Sequence, residues 1–203
     1  MKKIAMIAAA LAVTATAAFA ENTVVVKGVG TWGGLTNYKQ HEGPFWNERI
    51  AKASNGSIIG DIKPQTELGL KGFEIMRLVK NGVFDFAFGL PGYVAAENAI
   101  FEGGDLSSVT QDIETQRKVA DAYFPTLEAA FEKYYNAKLM MLYPFPSQML
   151  WCNGEVNSIA DLKGKKIRVY ATTLGDFVEG VGGTSVTVPF AEVIPALEKG
   201  VVD

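Results

Sequence analysis

Strand, helix, strand, helix, strand, with a turn signal at every switch, is written into residues 23–88 of this chain. That order restricts the fold to a parallel sheet covered on both faces. Thr23–Gly28 is rich in valine and closed by glycine, which predicts a first strand. After a glycine-rich loop, Gly43-Pro44 opens a helix carrying Phe45, Ile50 and Ala53 and stopping at Asn55-Gly56. Ser57–Ile62 reads as the second strand and Pro64–Gly69 as a loop. Phe73, Ile75, Met76, Leu78 and Val79 mark a second helix ending at Asn81-Gly82, and Val83–Phe88 is the third strand.

From Gln111 a long helix is predicted, with Val119, Tyr123, Leu127, Phe131 and Tyr134 at spacings of three and four and a kink at Pro125. Lys138–Tyr143 and Gln148–Cys152 read as strands. Pro144-Phe-Pro146 between them removes two amide donors, so it predicts a rigid non-helical crossing from one lobe to the next. A second α/β unit follows, with strand Lys166–Tyr170, helix Leu174–Gly180, a strand near Ser185–Val188 and helix Phe190–Lys199. The expected organisation is a leader over 1–20, an N-terminal α/β lobe with the long helix over 21–143, and the start of a second α/β lobe over 144–203. Gly200-Val-Val-Asp203 reads as the opening of another buried strand with no covering helix after it, so the chain is expected to be a fragment whose second lobe lacks its C-terminal part.

Lys2 and Lys3, the apolar run Ile4–Val13 and the small-residue pattern Ala18-Phe19-Ala20 predict a secretory signal peptide cleaved after Ala20. The run is too short for a membrane span, which needs about 20 apolar residues. An exported, periplasmic protein is therefore expected. Taking Lys2 and Lys3 from the 19 basic residues leaves 17 against 22 acidic ones, a net of −5. That balance argues against nucleic acid or an anionic membrane as partner. Cys152 is the only cysteine, so no internal disulfide supports the fold.

Gly28-Val-Gly30-Thr-Trp-Gly33 after a strand matches the dinucleotide pattern G-x-G-x-x-G. Three observations speak against a nucleotide there. About ten more residues precede the expected helix, so no helix N-terminus faces a pyrophosphate. No acidic residue ends the second strand at ribose distance, since Asp61 lies too far on, and an exported protein has poor access to nicotinamide cofactors. Catalytic sets are thin as well. His41 is the only histidine, which excludes multi-histidine metal sites, and with Cys152 it offers only an exported-enzyme alternative based on a thiol dyad. Cys152 sits in the apolar run Met149-Leu-Trp-Cys, the setting of a packed structural thiol. No catalytic residue, cofactor or metal is expected.

Arg168 stands apart, a guanidinium in an otherwise apolar strand. Burying an unpaired cation is costly, so such a residue implies either a structural ion pair or a ligand carboxylate, which the planar fork of arginine meets with two parallel hydrogen bonds. One hydrogen bond to a charged group contributes roughly 1.5–3 kcal/mol, whereas micromolar affinity needs about 8 kcal/mol. The remainder has to come from enclosing the ligand between lobes against apolar walls, for which Trp32, Phe88, Tyr143 and Trp151 are the aromatic candidates.

Asn157-Ser-Ile-Ala-Asp-Leu-Lys-Gly-Lys-Lys-Ile-Arg-Val169 and Val188-Pro-Phe-Ala-Glu-Val-Ile-Pro-Ala-Leu-Glu-Lys-Gly-Val-Val-Asp203 resemble the DctP-type solute-binding proteins of TRAP transporters, the tripartite ATP-independent periplasmic systems. The likeness extends to Gln65-Thr-Glu-Leu-Gly69 and Leu78-Val-Lys-Asn-Gly-Val-Phe-Asp-Phe86 and covers nearly all of the chain after the leader. The resemblance implies the two-lobed α/β fold of periplasmic binding proteins, with a hinged cleft and a long helix bracing both lobes. It implies an organic acid held by an arginine, with Arg168 at that position, and delivery to the membrane subunits of a TRAP permease without ATP or covalent chemistry. Presentation of the ligand to a sensor is the other output of the same fold. Gln148 stands where sugar-acid-binding members carry a second arginine, and Gly89 where they carry an acidic residue. Both differences argue against a heavily hydroxylated sugar acid. Gln148 with Trp151 instead points to a less polar monocarboxylate, such as a keto acid or an aromatic acid.

Overall fold

The computed structural model describes residues 23–152 and 154–203; the expected leader and its cleavage point lie outside the described residues. In the first half, β1 (Val24–Gly30) lies between β2 (Ile58–Pro64) and β3 (Phe86–Ala87), parallel to both. Val24 faces Ile58 at one end of the register and Gly30 faces Pro64 at the other. Burial rises along β1, from exposed Val24 and Val25 to Val29, which is fully buried. The core thus gathers at the carboxyl ends of the strands. The third strand is shorter than the sequence predicts, because the Val83 amide donates to the Leu78 carbonyl and closes the preceding helix. Asp85 then ties the backbone to Lys27 before pairing with β1 begins.

The first helix, α1 (residues 37–53), begins well before the expected start at Gly43-Pro44. Its segments Asn37–Glu42 and Phe45–Arg49 are wound wider than an α-helix, and Ile50–Ala53 is α-helical. Gly43 and Pro44 both keep right-handed helical backbone angles. Inside a helix, proline lacks an amide donor and crowds the carbonyl four residues back. Hydrogen bonds reaching five residues, such as Gly43 N–H to the Tyr38 carbonyl, relieve that conflict without breaking the helix. The first objection to a dinucleotide at Gly28–Gly33 is thereby removed, and the site itself supplies a stronger one below.

The remaining helix of the first sheet is α2 (Ile75–Lys80), and α3 (Ile113–Tyr135) is the long one. Asp112 caps α3 by accepting the Thr115 amide at 2.8 Å, the helix passes through Pro125 unbroken, and Asn136 ends it in the left-handed conformation. Leu127, Ala130, Phe131 and Tyr135 bury its inner face against Val94 and Phe101. Lys138–Tyr143 and Gln148–Cys152 form no strands, contrary to expectation. A strand needs a neighbour for its amides and carbonyls, and no described segment pairs with these residues. Met140, Met149 and Trp151 stand exposed there as a result.

The second half contains β4 (Lys166–Val169) and β5 (Thr184–Thr187), paired in parallel, with α4 (Thr172–Gly180) crossing between them and α5 (Val193–Glu198) after them. The two halves meet closely. Gly92, in the single turn Pro91–Val94, comes so near the second half that a Cβ there would lie 3.2 Å from the Ala171 Cβ. Glu102, buried, reaches across and accepts the Thr172 amide at 3.1 Å, the Thr173 amide at 2.9 Å and the Thr173 hydroxyl at 2.6 Å. A carboxylate is favourable at that place because the first amides of α4 have no partners within the helix. Glu102→Ala is expected to destabilise the fold by about 1.5–3 kcal/mol, as a charge-assisted cap is lost between the halves. Denaturant unfolding measures this, and a change within about 0.5 kcal/mol would show that the contact does not hold the halves together.

Candidate functional site

Residues just beyond the carboxyl ends of the two parallel sheets meet one another, Trp32 with Phe190 and Tyr93 with Tyr170, and they make the candidate site. In open parallel sheets ligands bind in this position, where strand order reverses; here β1 is the reversal point, with β2 on one side and β3 on the other. Trp32 follows β1, Gln65 follows β2, and Phe88 follows β3. From the second half, Tyr170 follows β4 and Phe190 follows β5.

Aromatic rings run without interruption from one sheet to the other. Phe88 meets Tyr143 at 6.3 Å between centroids, Tyr143 meets Phe145 at 5.6 Å, and Phe145 meets the edge of Trp32 at 5.9 Å. Trp32 then contacts Phe190 at 5.0 Å and Tyr93 at 6.5 Å, and Tyr93 contacts Tyr170 at 6.0 Å. The mostly edge-to-face arrangement is the one favoured by ring quadrupoles. Trp32 and Tyr93 are buried, whereas Phe190 remains 46% exposed.

Arg168 ends this series. Its guanidinium lies 5.3 Å over the Tyr170 ring, and its Nε donates to the Val188 carbonyl at 2.8 Å. Among the described residues the ion pairs are Lys63–Glu67, Lys71–Glu192, Arg77–Glu97 and Lys138–Glu128, and Arg168 belongs to none of them. Burial lowers its pKa from the ordinary value, and the Tyr93 and Tyr170 phenols oppose that shift. Tyr170 is in turn pushed up to about 12, first by burial and then by Asp105 and Glu102. A cation held half-buried by a carbonyl and an aromatic face, with no carboxylate partner, is chemically suited to accept an anion from outside the protein.

The other candidates fall unevenly. Trp32 and Arg168 enter the same cluster, and Phe88 joins through Tyr143. Gly89 is exposed beside Met76. Gln148 and Trp151 stand on the exposed segment after Pro146, Trp151 at 82% exposure, and the structure does not bring them to Arg168. His41 is exposed and no hydrogen bond joins it to Cys152 among the described residues. Two surface concavities, of about 670 and 430 Å³, lie elsewhere, one between Lys165 and Asp203 and the other around Arg77 and Tyr135. They lack this combination of a desolvated cation and enclosing rings, so the cluster at the strand ends is the better candidate. Tyr93, Tyr170, Phe190 and Gln65 are the residues that sequence reasoning missed. The available signal was position alone, since Tyr170, Phe190 and Gln65 each come within three residues of a strand's carboxyl end.

The loop after β1 carries its own anion. Glu42, buried, accepts the Thr31 amide at 2.7 Å and the Thr31 hydroxyl at 3.0 Å, with the Tyr143 hydroxyl at 3.4 Å. This carboxylate occupies the amide that a pyrophosphate would need and repels a second anion, which disposes of the dinucleotide reading. Burial raises the Glu42 pKa above its ordinary value, and the Thr31 amide is the largest opposing influence. The folded protein therefore holds the Glu42 proton more tightly than the unfolded chain does. The stability it confers is complete below the ordinary glutamate range and is lost as pH rises through the folded-state pKa. Glu42→Gln keeps an acceptor for Thr31 without the charge. Thermal melts across pH are expected to show a flatter decline in this variant above the glutamate range, and a slope equal to wild type would place the titration elsewhere.

Residues 31–203 match the model of the bacterial extracellular solute-binding protein family 7, DctP. Among solved structures, the Bordetella pertussis extracytoplasmic solute receptor DctP7, which binds pyroglutamic acid, superposes with a TM-score of 0.79 at 23% identity, over 89% of this chain and 59% of that one. A marine metagenome TRAP solute-binding protein specific for aromatic acid ligands, in complex with 3-hydroxybenzoate, gives 0.70 at 26% identity over 90% and 57%. A TRAP periplasmic solute-binding protein from Pseudomonas putida F1 with bound D-glucuronate gives 0.77 at 21% identity over 89% and 59%. This chain thus spans less than two thirds of the length of these receptors, and within that span it has their fold. With the family match running from the end of β1 through β2, β3 and the whole second sheet with its arginine strand, the chain belongs to the DctP family of extracellular solute-binding proteins.

Proposed function

We propose that this protein is a periplasmic receptor that captures an organic acid between its two lobes and delivers it to the membrane subunits of a TRAP permease. The observation that carries this reading is Arg168, desolvated on β4, held by Val188 and Tyr170, and in no ion pair among the described residues. The ligand carboxylate takes the guanidinium fork, and Trp32, Tyr93, Tyr170 and Phe190 enclose the body of the acid. Family membership supports the receptor role, and the acids bound by the three relatives all carry a carboxylate. The leader pattern over residues 1–20 supports export, and N-terminal sequencing of the mature protein is expected to begin at Glu21. No covalent step belongs to this reading, since gripping and release of the acid require only hydrogen bonds and enclosure.

Arg168→Ala in the full-length protein is expected to cost about 2–5 kcal/mol of binding, because the ligand carboxylate is left buried without its partner. Arg168→Lys is expected to recover only part of the loss, since a point charge cannot make two parallel bonds. Calorimetry against a panel of carboxylic acids, guided by mass spectrometry of whatever co-purifies, reads both effects. Unchanged affinity in Arg168→Ala for an acid that the wild type binds would sink the proposal.

A further inference from the structure

The contacts between the two halves fall into two sets that differ in burial. One set is made by Glu102, 5% exposed, whose carboxylate takes the amides of Thr172 and Thr173, and by the Ser107 amide, which donates to the Thr173 hydroxyl at 3.0 Å. The other set gathers on the single turn Phe190–Glu192, which lies between β5 and α5. Trp32 meets the Phe190 ring, the Tyr93 hydroxyl accepts the Phe190 amide at 3.1 Å, and Lys71 Nζ lies 2.7 Å from Glu192 Oε1. Lys71–Glu192 is the only ion pair between the halves among the described residues.

The turn is the weaker of the two attachments. Its ion pair is open to water, with the Lys71 side chain 61% and the Glu192 side chain 44% exposed. A buried carboxylate capping unpartnered helix amides resists separation more than an exposed ion pair does. Separation of the halves therefore starts at the turn and pivots at Thr172 and Thr173. On the first half the latch residue is firmly placed. The Lys71 amide donates to Glu74 Oε1 at 2.9 Å, and Gly72 after it presses bare backbone to the site: with φ at +108°, a Cβ there would lie 2.3 Å from Tyr93 Cε2 and 3.1 Å from Gln65 Oε1. On the second half the turn is joined to the arginine strand. The Val188 amide donates to the Val169 carbonyl, and Arg168 Nε donates to the Val188 carbonyl, so the root of the turn and Arg168 shift together. Parting Phe190 from Trp32 and Tyr170 from Tyr93 opens the guanidinium, which lies over the Tyr170 ring, to solvent.

We propose that the Lys71–Glu192 pair is an ionic latch that holds the Phe190–Glu192 turn shut against Trp32 and Tyr93, and that its breaking, with Glu102 and Thr173 as the pivot, exposes Arg168. The inference rests on the receptor function proposed above in one respect, that the guanidinium so exposed is open to an incoming acid. An exposed pair of this kind biases the closed state without locking it, which suits a receptor that has to take up its cargo and release it. Salt weakens the latch, since at 1 M ionic strength charges are screened beyond about 3 Å.

Site-resolved amide hydrogen exchange on the full-length protein tests the latch without any acid present. In Lys71→Met, which keeps the length of the side chain and removes its charge, the Phe190 amide is expected to exchange about 1.5- to 5-fold faster, the range that exposed ion pairs produce, while the Thr173 amide exchanges as in wild type. The difference between variant and wild type is expected to shrink in about 1 M NaCl. Lys71→Glu combined with Glu192→Lys should restore slow exchange at Phe190. Modification of Arg168 by phenylglyoxal, followed by mass spectrometry, should accelerate in Lys71→Met by the same factor, with exposed Arg49 as the unchanged reference. Equal exchange of the Phe190 amide in Lys71→Met and wild type, equal acceleration at Phe190 and Thr173, no recovery in the charge swap, or an unchanged rate of Arg168 modification would each overturn the latch and leave the carboxylate receptor standing. Arg168→Ala binding acids as wild type does would instead overturn the receptor reading and leave the latch in place.

Discussion

A guanidinium that has lost much of its water and has gained no protein carboxylate is the constraint around which the rest of this structure is arranged. Arg168 is fixed by one hydrogen bond to the Val188 carbonyl and by the face of Tyr170. Neither neighbour neutralises it, and burial already pulls its pKa down. Such a cation is tolerable in a folded chain when an anion from outside completes it. That requirement also explains the surroundings, because a carboxylate bond of this kind gains strength where water is excluded.

Exclusion of water falls to the rings between the two sheets. Trp32, Tyr93, Phe190 and Tyr170 meet between the carboxyl ends of β1 and β4. Glu102 holds the start of α4 against the first half from the side, through three hydrogen bonds to Thr172 and Thr173. The Lys71–Glu192 pair adds an exposed contact, which contributes little by itself. The halves are therefore joined mainly by an aromatic seam and a buried carboxylate, both of which a ligand reaching Arg168 would share.

Much of this was legible in the residues. β1, β2, β4 and β5 lie close to where runs of β-branched residues bounded by turn residues put them, because such side chains suit a pleated, half-buried surface. Arg168 was legible for the opposite reason, as the residue that breaks such a run. The start of α1 was not, since Pro44 is a usual first residue of a helix and here sits inside a wider winding that accommodates it. The apolar stretches around Met140 and Met149 read as strands by composition, yet a strand is a property of a pair, and no described segment pairs with them. Tyr93 was invisible because its role depends on which turn packs against Tyr170, a contact set by the bare backbone at Gly92. Gln65 and Glu42 were hidden for a related reason: whether a polar side chain is buried, paired or orphaned is decided by tertiary packing.

The most direct measurement is a structure of the full-length protein determined with a carboxylic acid that it binds. The account predicts both carboxylate oxygens at about 2.7–2.9 Å from the Arg168 guanidinium, with the rest of the ligand among Trp32, Tyr93 and Tyr170. An Arg168 side chain paired with a protein carboxylate and turned away from that seam, with the acid bound elsewhere, would contradict it.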